Sequence, residues 1–557
     1  MLRHPRLGSC QRAAALLVAV ALAGCGSGGL RPEPPGERML MAEIALERGQ
    51  YRLAAREYRA AAAASRDPKI AERAARVAFD NGQDTELEHT ARAWLAREPG
   101  SETARRFLAV ALLQLDRREA ARSEFAKLIK TAYATPAQAF TALRESLGDL
   151  RNDTGAARVV ASLAADYPEV PEAQYAAAVL ALAAGDSPAA LAAAERATAL
   201  KPGWREAVWV QVRARIAGGD CRRGLQQSAA LAAESNDADR LTHAWLLTAC
   251  DRGAEARPYF DDLSRGTFGR AEALEGLAAI DLDARRFDPA AARYTEMLAT
   301  GRNSDRAYFG LAQVADRRGE IVPAIRLYAR ITAGPRAIGA QLRAYRLLLQ
   351  RGEPLTAARL LDDFATGVPD DRVGLTAGRA QVLAEFGHAR EAEALLTRAI
   401  AAYPDREELR YARAAVLEHA GALPAALAEL RAVVHERPDD PAAQNALGFT
   451  LADHGRELPE AERLIRAALN GRPDSAAIRD SLGWVLYQRG HATDALDWLQ
   501  RAYAGDPDPE IAVHIGEAQW SLGQRADAAN TWREALERTP GDTRLKDVLE
   551  RHRAAIP

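Results

Sequence analysis

Residues 475–507 read SAAIRDSLGWVLYQRGHATDALDWLQRAYAGDP. Leu482, Gly483 and Leu486 fall on one face of a first helix, and Gly490 follows as a turn residue. Ala495, Leu499 and Ala502 fall on one face of a second helix, and Pro507 stops it. Apolar residues three and four apart share a helix face. A glycine supplies the positive φ that ends a helix, and a proline cannot continue its hydrogen bonding. The small residues mark where the two helices cross, so the backbones approach closely. A leucine at Gly483 is expected to overpack that crossing and to cost roughly 1–3 kcal/mol, read as a lowered melting temperature.

Working outward, the pattern repeats. It returns in 441–473 with Leu447, Gly448, Leu451, Gly455, Ala461, Ile465, Ala468 and Pro473, in 508–540 with Ile515, Gly516, Gly523, Ala528, Trp532, Ala535 and Pro540, and in 171–202. Turn glycines recur at 49, 82, 185, 219, 253, 319, 352, 387, 421, 455, 490 and 523, in steps of 33 to 35 apart from two gaps that are multiples of the period. Prolines at 99, 168, 202, 369, 404, 438, 473, 507 and 540 run in parallel. A helix–turn–helix unit of this length resembles the tetratricopeptide repeat. The resemblance implies an all-α, right-handed superhelical solenoid with a concave groove. Residues 38–540 hold about 15 such units, with 135–168 and 203–237 the weakest matches and the expected places for an irregularity. Gly224 and Ser228 stand there in slots that usually pack tightly. Residues 541–557 form a last helix with Leu545, Val548 and Leu549 on one side, the polar cap that an open solenoid end needs.

Composition agrees. Of 557 residues, 48% are apolar, 27% charged and 6% aromatic, and 74 basic residues against 76 acidic ones leave a net charge of -2. That balance excludes a globally basic nucleic-acid binder and a disordered acidic chain.

The first residues read differently. Arg3, Arg6 and Arg12 precede the apolar run 13–23, a charged stretch and then a core too short to span a bilayer. The run closes in Leu22-Ala23-Gly24-Cys25, which resembles a bacterial lipobox. The resemblance implies a signal peptide over 1–24, acylation of Cys25 and, with Gly26 in place of an Asp, delivery to the outer membrane facing the periplasm. Three acyl chains exceed the two signals that stable anchoring needs, at about 0.8 kcal/mol per buried CH₂. Residues 25–37 then read as the acylated cysteine and a Gly/Pro-rich tether. Once Cys10 leaves with the signal and Cys25 is acylated, Cys221 and Cys250 remain as one pair in an oxidising compartment. They sit 29 residues apart at the turn ends of neighbouring helices, and a disulfide is expected.

No catalytic motif stands out. The ten histidines never fall at i,i+4 spacing or in HExxH, and there is no GxSxG, Walker loop or nucleophilic Cys–His pair. His419 and His454 stand beside turn glycines and read as solvated. The chain reads as no enzyme, with no cofactor and no metal. Function then rests on a surface. In the tetratricopeptide family the first helix of each repeat lines the groove, and counting from the turn glycines the groove positions toward the C-terminal end of the array hold Asn445, Phe449, Asp480, Trp484, Tyr487, Gln488, Glu517 and Trp520. None of these occupies a slot that repeat packing needs, and aromatics on a rigid concave face are typical anchors for a partner. Trp209, Phe309 and Tyr411 stand isolated farther up and read as structural. Arg213, Arg346, Asp316, Glu385 and Glu418 give the groove mixed charge, which suits a protein partner and not a polyanion.

The segment ALGFTLADHGRELPEAERLIRAAL…DSLGWVLYQRG is similar to the outer-membrane lipoprotein adaptors of periplasmic carboxyl-terminal processing proteases. That resemblance implies a scaffold that brings cell-wall hydrolases to a protease. The alternative is a pilotin-like assembly factor for an outer-membrane secretion, pilus or exopolysaccharide export machine.

Overall fold

The computed structural model describes residues 34–553 apart from 116, 148–153, 234–235, 368–371, 405, 473–474 and 540–541. The signal peptide, Cys25 and most of the tether lie outside the described residues, as do Pro369, Pro473, Pro540 and the last four residues. Among the described residues there are 31 helices and no strand: two to each of fifteen units from Pro35–Glu47 to Arg525–Arg538, then Thr543–His552. The 15 units and the terminal helix expected from the period are both present.

The punctuation behaves as the chemistry requires. Eleven of the twelve turn glycines have positive φ, Gly490 at 83° among them. The exception is Gly253, which opens the helix Gly253–Leu263 while Asp251 takes the left-handed position at φ 58°. Arg285, at φ 56°, occupies the turn missing between 253 and 319. The second helices end two residues short of their prolines: Ser187–Leu200 before Pro202, Ala389–Ala402 before Pro404, Ala492–Gly505 before Pro507. A proline disfavours helical geometry in the residue before it, so the helix closes there. Other prolines open the next unit, as Pro171, Pro441 and Pro509 do at the first helical turn, where a missing N–H costs nothing.

Close approach explains the small residues. A Cβ on Gly483 would lie 2.5 Å from Leu499 Cγ and 3.1 Å from the Ala495 carbonyl. One contact is backbone, so the leucine variant described above cannot be relieved by a rotamer change alone. Neighbouring repeats are also clamped by charge. Asp281 is buried, and Arg257 and Arg286 donate to its Oδ1 at 2.6 and 2.9 Å while Arg293 reaches Oδ2. Burial would raise its pKa, but these hydrogen bonds and charges outweigh burial and lower it.

Of the two weak matches, 203–237 keeps the paired pattern, with Arg205–Ala217 packed on Cys221–Ala233. By contrast 135–168 is irregular as expected: Pro136–Ser146 packs on Pro171–Ala183, and Thr154–Ala165 packs on Arg118–Thr131 and Pro171–Ala183, but the two helices scarcely meet each other. A second irregularity lies in the ninth repeat. The second helix there is only Ile321–Tyr328, and the chain runs without regular structure before Ala337–Gln350 begins. Gln341 is 1% exposed, and its Nε2 donates to the Ala329 and Ile331 carbonyls at 3.1 and 3.0 Å. A buried side chain thus replaces backbone hydrogen bonds that a full-length helix would have made.

The first helices of successive repeats lie side by side, Pro171–Ala183 on Arg205–Ala217 and Ala476–Gln488 on Pro509–Ser521. Their closeness puts them on the inner wall of the curve. The superhelix also brings its first repeat against the end of the eleventh: a Cβ on Gly49 in the first turn would lie 2.8 Å from the Tyr403 ring. Beside this contact is a polar cleft of about 1140 Å³ between Tyr51, Arg52 and Asp84 on one side and Glu407, Arg437 and Arg472 on the other.

Candidate functional site

The inner helices of the last four repeats are Glu408–His419, Pro441–Asp453, Ala476–Gln488 and Pro509–Ser521. Each buries one face against its own second helix, because Leu447, Gly448 and Leu451, or Leu482, Gly483 and Leu486, repeat at helical spacing. The position one residue beyond the glycine then points into the curve. This places Phe449 and Trp484 on the inner wall, both half-buried.

The eight groove residues do not share one fate. Asn445, Phe449 and Asp480 line a cavity of about 430 Å³, walled by Ala414, Ala415 and Ile511. Tyr411, isolated in the sequence, lines the same cavity. The Asn445 Oδ1 and the Tyr411 hydroxyl are both shielded from solvent and have no hydrogen-bond partner. Burial raises the Tyr411 pKa well above its ordinary value, with the Asp440 and Glu407 charges adding to it, so the hydroxyl stays a donor. Five carboxylates line the cavity, those of Glu418, Asp480, Asp506, Asp508 and Glu510, and among the described residues no Lys or Arg does. The mixed charge expected of the groove is therefore not mixed here.

Trp484 and Tyr487 stack at 5.1 Å between centroids, and Trp484 also lies 4.1 Å from the His514 ring, nearly parallel to it. Its indole N–H donates to Asp453 Oδ1 at 3.1 Å. Burial raises the Tyr487 pKa. Gln488 sits apart with Tyr487 in a shallow second pocket beside Gly490 and Leu522.

Besides Trp484, three residues depart from the expectation that the groove positions stand free of repeat packing. Asp480 is 6% exposed, and the His514 Nδ1 lies 2.8 Å from its Oδ1, so its charge is engaged between repeats. Glu517 forms an ion pair with Arg551 at 3.2 Å and lies 3.5 Å from His552 Nε2, both on the C-terminal side of Thr543. Trp520 stacks on Trp532 and lies 4.2 Å from the His552 ring. Trp520 and Glu517 face the end of the array, and the terminal helix covers them. Of the residues read as structural, Trp209 donates to Asp239 at 2.8 Å and Phe309 meets Tyr328 edge-on at 5.7 Å.

His454 is not simply solvated: its Nε2 lies 2.7 Å from Glu418 Oε1 of the preceding repeat. The two cysteines are joined, with 2.04 Å between sulfurs and 6.0 Å between Cα atoms. Among the described residues, no helix is long and apolar enough to cross a membrane.

The tetratricopeptide-repeat family matches residues 383–448, and a second model of the same repeat matches 145–203 and 445–509. The first of the latter segments covers most of the repeat that looks weakest in sequence. The TPR repeat-containing protein PA4667 of Pseudomonas aeruginosa is 29% identical over 213 residues, 38% of this chain and 36% of that protein. The alignment thus spans about a third of that relative's length. Among solved structures, the APC/C hetero-tetramer Cut9–Hcn1 matches over 97% of this chain and 98% of its own at 16% identity and a TM-score of 0.30. TTC0263, a thermophilic TPR protein of Thermus thermophilus, matches over 31% of this chain and 95% of its own at 23% identity and a TM-score of 0.29.

Proposed function

We propose that this chain is a periplasmic scaffold, anchored in the outer membrane through an acylated Cys25, that holds a protein partner in the concave cavity of its last repeats. Its tetratricopeptide repeats support protein binding in general. The reading of the partner rests on one observation. An apolar cavity on the inner wall keeps two polar atoms, Asn445 Oδ1 and the Tyr411 hydroxyl, buried and unpaired. Such atoms cost free energy until a partner's groups meet them. The acidic wall suits a segment that carries Lys or Arg beside an apolar side chain. In the finer reading, the occupants are a carboxyl-terminal processing protease and the wall hydrolases it cleaves. Tethering both to one solenoid makes their encounter local, which raises its rate without any new contact.

The test is affinity purification from detergent-solubilised envelopes, comparing the natural chain with an Asn445→Ala/Phe449→Ala variant. Phe449 is preferable to Trp484, whose indole stacks on the buried His514, so that its truncation disturbs packing as well. Partner recovery is expected to fall at least tenfold, as a hot-spot residue contributes about 2 kcal/mol or more, with the melting curve unchanged. Co-purification of a protease with wall hydrolases supports the adaptor reading. Recovery of a secretion or pilus channel subunit in their place supports an assembly factor. Undiminished recovery from the variant removes this cavity as the binding face.

A further inference from the structure

A second cluster adjoins the cavity and uses different chemistry. Glu418 lies near the end of Glu408–His419, Asp453 is the last residue of Pro441–Asp453, and His454 caps that helix. One donor atom from each lies within 4.8 Å of the other two. The His454 Nε2–Glu418 Oε1 distance of 2.7 Å shows that the imidazole already faces the carboxylate. A third repeat fixes the remaining ligand, since the Trp484 indole N–H donates to Asp453 Oδ1 at 3.1 Å.

Three other carboxylates are paired with arginine: Glu385 with Arg346 at 2.6 Å, Asp316 with Arg343 at 2.7 Å, Glu510 with Arg544 at 2.6 Å. Among the described residues neither Glu418 nor Asp453 has a Lys or Arg within ion-pair distance, and Glu418 has only His454. Two carboxylates held this close repel each other when both are ionised. A divalent cation offsets that.

We propose that Glu418, Asp453 and His454 form a binding site for a divalent transition-metal ion that joins the twelfth and thirteenth repeats. One imidazole and two carboxylates suit zinc and its neighbours better than the all-oxygen shells of calcium or magnesium. Three protein ligands leave a coordination position for water or for a donor carried by a bound partner. The Trp484 N–H holds a ligating carboxylate in orientation, the part that an outer-shell group plays at such sites. The site stands independently of what fills the cavity.

Isothermal titration of zinc chloride into the tag-free full chain tests this. The natural chain is expected to show one stoichiometric site, and His454→Ala is expected to weaken it by about 10–100-fold or more, since even outer-shell losses reach that range. All three ligands are partly exposed, so the metal-free melting temperature should not move. Glu418→Gln, which keeps the shape and removes the charge, should weaken the same site and leaves the test intact should the histidine variant misfold. Zinc binding equally to the natural chain and to both variants, through other histidines, would overturn the assignment, as would the lack of any stoichiometric site.

Discussion

Replacing Trp532 by alanine is expected to destabilise the C-terminal end by about 3–5 kcal/mol, the range for truncating a buried aromatic. The indole is fully buried, and its N–H donates to the Val513 carbonyl at 3.3 Å. His552 of the terminal helix stacks on it at 5.1 Å, nearly parallel. It lies so close to the facing helix that a Cβ on Gly516 would fall 1.9 Å from its Nε1. The cavity left by alanine therefore opens under both the last repeat and the cap. Because repeats pack mainly on their sequence neighbours, and the contact between the first and eleventh repeats lies away from this end, the loss should stay local. Hydrogen exchange should speed up across 509–553 while the repeats before 441 keep their protection, and the melt should split into two steps. A single transition in which all peptides lose protection together would show that the array is one cooperative unit.

Removing the bridge between Cys221 and Cys250 by a double serine substitution is expected to cost about 3–4 kcal/mol in the chain-entropy account of a 29-residue loop. The local core makes this segment depend on it. Phe260 and Leu247 anchor a small apolar cluster, and beside it Ser228 and His243 form a buried polar pair at 2.7 Å. A Cβ on Gly224 would lie 2.5 Å from Ile216, so no larger side chain fills that crossing as the chain stands. Burial lowers the His243 pKa from 6.5, with the Arg252 charge acting in the same direction and Glu255 against it. The folded state therefore favours the neutral ring. Its stabilising effect is complete above pH about 6.5, and it declines as pH falls below that value, because the unfolded chain takes up the proton first. The serine variant should thus melt earlier than the natural chain, and the gap between neutral pH and pH 5 should be visible in the peptides of 221–263. An unchanged melting curve, or equal mobility on non-reducing gels before and after reduction, would remove the bridge from the account.

Both predictions concern places where side chains from different repeats meet, and these were the least legible in the sequence. The unusual slots at Gly224 and Ser228 drew attention to 203–237, yet the helices there are continuous and the oddity lies in the core. The break after Tyr328 carries the signal Gly334-Pro335, which the count of turn glycines and stop prolines passed over. The Glu418–Asp453–His454 cluster escapes any search for ligand spacing within one helix, because Glu418 comes from the neighbouring repeat.

What the sequence determined by itself is everything that depends on local chain geometry. A residue at helical spacing has its face set by the 3.6-residue turn, and a glycine or proline ends a helix through its own backbone. The fifteen two-helix units and the terminal helix followed from that. Which inner-face residues remain open was decided only by the tertiary structure. Phe449 and Trp520 are both aromatics set on the inner face by the same counting, yet the first lines a cavity and the second lies under His552. The helical period states which way a side chain points. What covers it depends on the curvature of the superhelix and on the reach of side chains one repeat or more away, and no local pattern encodes either.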